Sequence, residues 1–175
     1  LRPPKRRDAL RWQNLRLSSK KFLVPWEPKW DSSSTSRRAY MRYLKNSNYL
    51  ANMDRAYSFL IFRKDDKNLL GGINIGNIRR GVAQSASIGY WIGKQYTRQG
   101  YMKEALDTLI PSLFIDLRLN RIEAATLEEK EASVSVASTK YTSTTRLAGR
   151  SAAIVSAIAP DEVDRINIHV MNGEF

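Results

Sequence analysis

Between Gly89 and Ala105 the chain changes rhythm twice. Gly89-Tyr90-Trp91-Ile92 has the apolar, aromatic character of a strand, Gly93 to Gly100 is a short polar loop, and Tyr101 opens an amphipathic helix. A strand that enters a helix through such a loop aims the unpaired first-turn N–H groups at the space above the strand tip. The positive end of the helix points the same way, so a phosphate can bind there. The spacing is not the P-loop, which needs a second glycine and a Gly-Lys-Ser/Thr ending, nor the three-glycine dinucleotide fingerprint. On geometry alone an ordinary strand–loop–helix corner is the commoner reading.

The flanking sequence predicts the frame that carries this corner. Ser58–Phe62, Leu70–Ile78 and Ala83–Ile92 read as three strands, joined by turns at Lys64–Asn68 and Arg79–Gly81. Met102, Leu106, Leu109, Ile110, Leu113, Phe114 and Leu117 then recur at three- and four-residue steps, the stripe of a core-facing helix. Pro111 is expected to kink that helix or break it one turn early. Arg121–Leu127 reads as a fourth strand, parallel to the third because a helical crossover joins them. Upstream, Asp8 is expected to cap a helix carrying Leu10, Trp12 and Leu15. The Ser32–Ser36 loop is expected to lead into a second helix with Tyr40, Met41 and Leu44 inward. The β-β-β-α-β order predicts an α+β, three-layer fold with a mixed, mostly antiparallel central sheet between helices.

A chain of 175 residues is about one domain long and can bury a sizeable core. It has no cysteine and one histidine, His169, read as a structural or surface residue, which leaves no disulfide framework, thiolate nucleophile or metal centre to expect. No run approaches the ~18 apolar residues of a membrane span. The basic start, Leu1 to Arg7, is not followed by an apolar stretch, so no signal peptide is expected, and the missing initiator Met suggests a trimmed start. Cytoplasmic localisation without membrane contact is the default. The net charge of +12 is uneven: residues 1–55 hold 14 Lys/Arg against four acids, the remainder 15 against 13. Such asymmetry suggests a polyanionic partner, with ribosomal or other RNA the obvious candidate; a solvated basic face is the plainer alternative.

The loop from Tyr90 to Ala105 resembles the acetyl-coenzyme A loop of the GNAT acetyltransferases, in particular the branch that acetylates ribosomal-protein N-termini. Leu70-Gly71-Gly72-Ile73 and Asn77 to Gln84 resemble the central hairpin of that family, Leu117 to Ala125 its next strand, and Phe22 to Pro28 an N-terminal segment of the branch. The resemblance implies the GNAT acyl-CoA N-acyltransferase fold, with acetyl-CoA as co-substrate and no metal. Backbone groups of Tyr90, Trp91 and Ile92 would pair with the pantetheine, and the amides of Arg98, Gln99, Gly100, Tyr101 and Met102 would hold the pyrophosphate. Of the wider family motif only Gly100 matches strictly, since Thr97 and Met102 replace its first and last members. Arg98 reads equally well as a solvated loop charge. Glu123 is the implied catalytic base, acting directly or through water, or binding the ammonium of the acceptor; its plain alternative is a carboxylate paired with Arg121. The acceptor would be the N-terminal amine, of alanine by the branch, of a ribosomal protein or another peptide. Trp26 and Trp30, flanking Glu27, are candidates for gripping it. The chain would be a monomer or dimer. The alternative function is a catalytically inactive GNAT-like module that binds ribosomal protein or RNA.

On this reading residues 1–131 form the N-acetyltransferase domain. Residues 132–175 are a divergent C-terminal part of the same domain, disordered or frame-altered. From Ala132 to Ala159, 17 of 28 residues are Ala, Ser or Thr, which bury little apolar area and predict the weakest packing of the chain. Lys130 stands where the family has a cofactor-contacting Asn. The helical Tyr that serves as general acid falls near Ala137, with Tyr141 out of register. Met171 to Phe175 resembles a late hairpin turn.

Overall fold

The computed structural model describes residues 1–27, 30, 31, 33–124, 133–139 and 167–173, the last two stretches as backbone. The expectations for Lys130 and Tyr141, and for most of 132–175, lie outside the described residues. The chain divides into two compact units. One comprises Leu1–Asn74 with Tyr90–Gln99, the other Ile75–Gly89 with Gly100–Phe175.

The first unit carries helices α1 (Ala9–Ser18), α2 (Lys20–Leu23) and α3 (Arg37–Asn52), strand β1 (Tyr57–Phe62), the start of β2 (Leu69–Arg79) and the end of β3 (Ser85–Ile92). Ser36 caps α3 as expected, its hydroxyl accepting from the Ala39 amide at 3.1 Å. Asp8 does not cap α1. Its carboxylate instead takes two hydrogen bonds from the Arg2 guanidinium, at 2.7 and 2.6 Å, and one from the Lys5 amide at 2.8 Å. Backbone pairing of Arg2 with Leu60 on β1 brings that guanidinium in. The core of this unit gathers Ala9, Trp12, Leu15, Tyr40, Leu44, Leu60 and Leu69. Trp12 lies over Tyr43 with ring centroids 6.2 Å apart and planes at 13°. Leu10 is 66% exposed, because the buried stripe of α1 runs through Trp12 and Leu15.

The hairpin turn between β1 and β2 forms at Arg63–Asn68, closed by Arg63 N–H on the Asn68 carbonyl at 3.0 Å. The beginning of β2 is buried on both faces, without the alternation that starts only at Ile73. Gly71 and Gly72 explain it. A Cβ on Gly71 would stand 2.2 Å from the Trp91 carbonyl oxygen, and one on Gly72 2.8 Å from the Trp91 indole nitrogen. The missing side chains admit the neighbouring strand. We expect Gly71→Ala to lower stability by about 2 kcal/mol, since the obstacle is backbone and cannot rotate away. Gly76→Ala on the same strand meets nothing within 4 Å and should leave the urea midpoint near wild type. Equal midpoints for the two variants would sink this account.

The second unit holds the remainder of β2 and β3, α4 (Tyr101–Ile115) and β4 (Arg121–Glu123), with β5 (Ser133–Thr139) and β6 (Asn167–Gly173). Strand order is β2-β3-β4-β6-β5 here and β1-β2-β3 in the first unit. The sheet is mixed: β4 lies parallel to β3 and antiparallel to β6, and β5 lies parallel to β6. On α4 the stripe Leu106, Leu109, Ile110, Leu113 and Phe114 is buried as its spacing predicts. Pro111 does not break it: the helix continues to Ile115, and the proline, itself buried, costs only the amide that Asp107 would have accepted from. β4 is described over three residues. The segment at Ala137 is a strand rather than a helix, consistent with the alternation Val134, Val136 and small partners, and Met171–Gly173 lie within β6 rather than at a turn. No helix among the described residues is long and apolar enough to cross a membrane.

Candidate active site

In the first unit the site begins at the end of β3. The Trp91 carbonyl faces Gly71, and the Gly93 amide donates to the Leu70 carbonyl at 2.8 Å, so residues 91 and 93 turn their backbone groups toward β2. Strand alternation then directs those of Tyr90 and Ile92 to the opposite side. The sequence reading assigned all three residues to pantetheine pairing; of these, the Trp91 carbonyl is the group turned toward β2.

The chain leaves β3 through a 3-10 turn at Lys94–Tyr96. Ser19, buried between α1 and α2, fixes its start by accepting from the Lys94 amide at 3.0 Å. The Thr97 hydroxyl donates to the Lys94 carbonyl at 2.9 Å, and the Gln99 amide side chain to the Gln95 carbonyl at 2.8 Å. These bonds tie down the loop together with Tyr96, which packs against the core of the first unit. Arg98 is exposed and adopts a left-handed backbone, φ 59°.

Trp91 also belongs to an aromatic cluster that sequence reading missed. The Arg16 guanidinium lies 5.0, 4.4 and 5.2 Å from the rings of Trp12, Trp30 and Trp91. It donates to both carboxylate oxygens of Glu27, one of which also accepts from the Trp30 indole at 2.9 Å. Glu27 is thus held by Arg16 and Trp30 rather than offered to a peptide. The only sequence signal was an arginine and an acid within a tryptophan-rich segment, which names no pairing.

In the second unit, Gly100 is the N-cap of α4 with φ 79°, and its carbonyl accepts the first helical bond from the Glu104 amide at 3.0 Å. No side chain caps this end, and a Cβ on Gly100 would meet nothing within 4 Å. Among the described residues the space beside Gly100 is therefore open, next to the first-turn N–H groups and the positive end of the dipole. Tyr101 and Met102 form the first turn, half-buried. A pyrophosphate fits this cradle in charge, donor type and room.

Glu123 ends β4 on the same strand face as Arg121, with Ile122 fully buried on the other. Its carboxylate forms an ion pair with the Arg121 Nε at 2.6 Å without the alignment of a hydrogen bond, and its side chain is 44% exposed. The plain alternative, pairing with Arg121, is realised, and the side chain stays partly open to solvent. The parallel ladder sets Glu123 beside Ser87 on β3, whose hydroxyl accepts from the Asn77 side chain at 3.2 Å. Asn77, Ser87 and Glu123 so form a polar row across three strands. Ser87 was legible only as an alternating polar position. The ladder ends at this pair, while β3 itself continues to Ile92.

Residues 1–139 match the family profile described as the acetyltransferase (GNAT) domain. The chain is 31% identical over 118 residues to the [ribosomal protein uS5]-alanine N-acetyltransferase of Escherichia coli (strain K12), covering 67% of this chain and 61% of that protein. It thus spans less than two thirds of that relative's length. Among solved structures, the ribosomal-protein-S5-alanine acetyltransferase of Vibrio fischeri superposes with a TM-score of 0.68 at 26% identity, covering 74% of this chain and 71% of that one. Mycobacterium smegmatis RimJ in complex with CoA-disulfide gives 0.69 at 28%, covering 84% and 65%. The uncapped, glycine-led start of α4 sits inside the matched region, and the chain belongs to the GNAT acetyltransferase family.

Proposed function

We propose that this protein transfers the acetyl group of acetyl-CoA to the N-terminal amine of a ribosomal protein, with alanine as the acceptor residue. The observation that carries it is the start of α4: a left-handed glycine, no capping side chain and, among the described residues, open space where a Cβ on that glycine would stand. The relatives support the acceptor, since their names specify alanine of ribosomal protein uS5. Acetyl-CoA supplies the activated acyl group as a thioester. Amides from Arg98 to Met102 take its pyrophosphate, and Tyr90 and Ile92 present backbone groups to the pantetheine. An α-amine has a pKa near 7.7–8.0 and is mostly protonated at neutral pH, so it must shed a proton to attack. Glu123 takes that proton. A C–N bond then forms, the C–S bond breaks, and the coenzyme A sulfur leaves with the bonding pair and takes up a proton. Residues 132–175 are the divergent C-terminal part of the same domain. Contact with the ribosome or its RNA runs through residues 1–55, and the reaction belongs to the cytoplasm.

The test is calorimetry with acetyl-CoA, followed by mass spectrometry of an Ala-initiated ribosomal-protein peptide. Gly100→Val should weaken acetyl-CoA binding by more than tenfold. A β-branched residue is strained at this backbone angle and fills the space the phosphate needs. Unchanged affinity in a folded Gly100→Val variant would overturn the site, and absence of a +42 shift on the peptide at saturating acetyl-CoA, about the mass of one acetyl group, would overturn the transfer reaction.

A further inference from the structure

α3 has two opposite characters. Tyr40, Leu44 and Ser47 are buried, whereas Arg38, Arg42, Lys45 and the 61%-exposed Tyr49 face solvent. At about 100° per residue these four side chains fall within an arc of about 60°, diametrically opposite the buried face. The three cations span about 10 Å of helix axis, with the tyrosine one turn further. The helix contains no acidic residue from Arg37 to Asn52.

Nothing nearby in sequence neutralises this stripe. Residues 1–55 carry four acids, and each is engaged elsewhere: Asp8 with Arg2, Glu27 with Arg16, Asp31 with Ser33 and Ser34, Asp54 with the Tyr57 hydroxyl. Among the described residues no carboxylate pairs with Arg38, Arg42 or Lys45. A row of unpaired cations attracts a polyanion, and an exposed aromatic ring in line with them adds a stacking surface that an acidic peptide has no use for.

We propose that the outer face of α3 binds single-stranded RNA, with Arg38, Arg42 and Lys45 on consecutive phosphates and Tyr49 stacked on an unpaired base. This refines the contact assigned above to residues 1–55 and rests on that reading for its partner, not on acetyl transfer. The occupant is single-stranded because bases in an A-form duplex are not open to a ring lying on the helix surface.

Fluorescence anisotropy with a labelled, unstructured oligoribonucleotide, between 50 and 300 mM salt, tests it. The logarithm of affinity should fall linearly with that of salt, and R38Q/R42Q/K45Q should flatten the slope by about two, from three contacts at ~0.7 each. Tyr49→Ala should weaken binding about tenfold at an unchanged slope, because stacking releases no counterions. R6Q/R7Q/R11Q removes the same charge from α1 and its approach; an equal loss of slope, with Tyr49→Ala silent, would mean general charge attraction and overturn the proposal. Equal competition by polyglutamate of matched charge would overturn RNA in favour of an acidic protein, and preference for duplex RNA would overturn the stacked geometry. Acetylation of a free peptide by R38Q/R42Q/K45Q, run alongside, should match wild type. If RNA binding fails while the peptide is still acetylated, the α3 proposal falls and the enzymatic one stands.

Discussion

Glu123→Gln should reduce turnover on an Ala-initiated peptide by ~10²–10⁴-fold, the usual worth of a positioned general base. Acetyl-CoA affinity should be unchanged, because Glu123 lies on β4 and not at the start of α4. The fold should tolerate the change: the side chain is 44% exposed, and an exposed pair with Arg121 is worth no more than ~1 kcal/mol. The pH profile separates proton removal from ammonium binding. If Glu123 removes the proton, the deficit narrows above about pH 8, where solvent deprotonates the amine unaided. If it only binds the ammonium, peptide KM rises and the maximal rate survives. Wild-type kcat and KM from pH 6 to 9 would make Glu123 a structural partner of Arg121 and nothing more.

Asp8→Asn should destabilise the first unit by about 3 kcal/mol at pH 7, the lower end for breaking a buried ion pair. Asp8 is fully buried, while the Arg2 side chain is 25% exposed and regains some water when its partner loses charge. Burial alone would push the Asp8 carboxyl up, but the Arg2 guanidinium and the Lys5 amide outweigh it and hold it below the ordinary carboxylate value. A depressed folded-state value adds stability above the unfolded pKa, near 3.9, and that stability is lost as pH falls through the folded value. The advantage of wild type over the variant should therefore begin to shrink below about pH 4 and go on shrinking as the pH falls further. Urea midpoints at pH 7 and pH 3 are the measurement, and matching midpoints at pH 7 would remove the Arg2–Asp8 pair from any account of stability.

How far the sequence could be read differs by feature. The stripe on α4, the Ser36 cap and the turn at Arg63–Asn68 were legible because each is written within one or two turns of chain. Gly100 was legible because a strand, a polar loop and a helix must meet there, and the structure adds its left-handed backbone. The parallel pairing of β4 with β3 followed from the helical crossover alone. Pro111 does not end α4, which runs on to Ile115 with its apolar stripe buried, so of the two outcomes expected of the proline the break is the one that does not occur. Which face of α1 is buried was not legible, because Leu10 and Leu17 make a second apolar face as good in pattern as Trp12 and Leu15. A pattern cannot choose between two faces.

Sequence by itself determined the order of elements from α3 to β4, the strand–loop–helix corner and the uneven charge, since periodicity, turn chemistry and formal charge are local properties. Only the tertiary structure decided who meets whom. Backbone pairing of Arg2 with Leu60 brings the guanidinium to Asp8, diverting that carboxylate from the helix it was expected to cap. Two glycines on β2 exist for Trp91 on β3, and Arg16 finds three tryptophans and Glu27 from separate stretches of chain. Glu123 gains Ser87 as a neighbour only through the β3–β4 ladder. Ion pairs, ring contacts and close backbone approaches act over a few ångströms, so they depend on which distant residues the fold brings within that range, and neither composition nor spacing carries that distance.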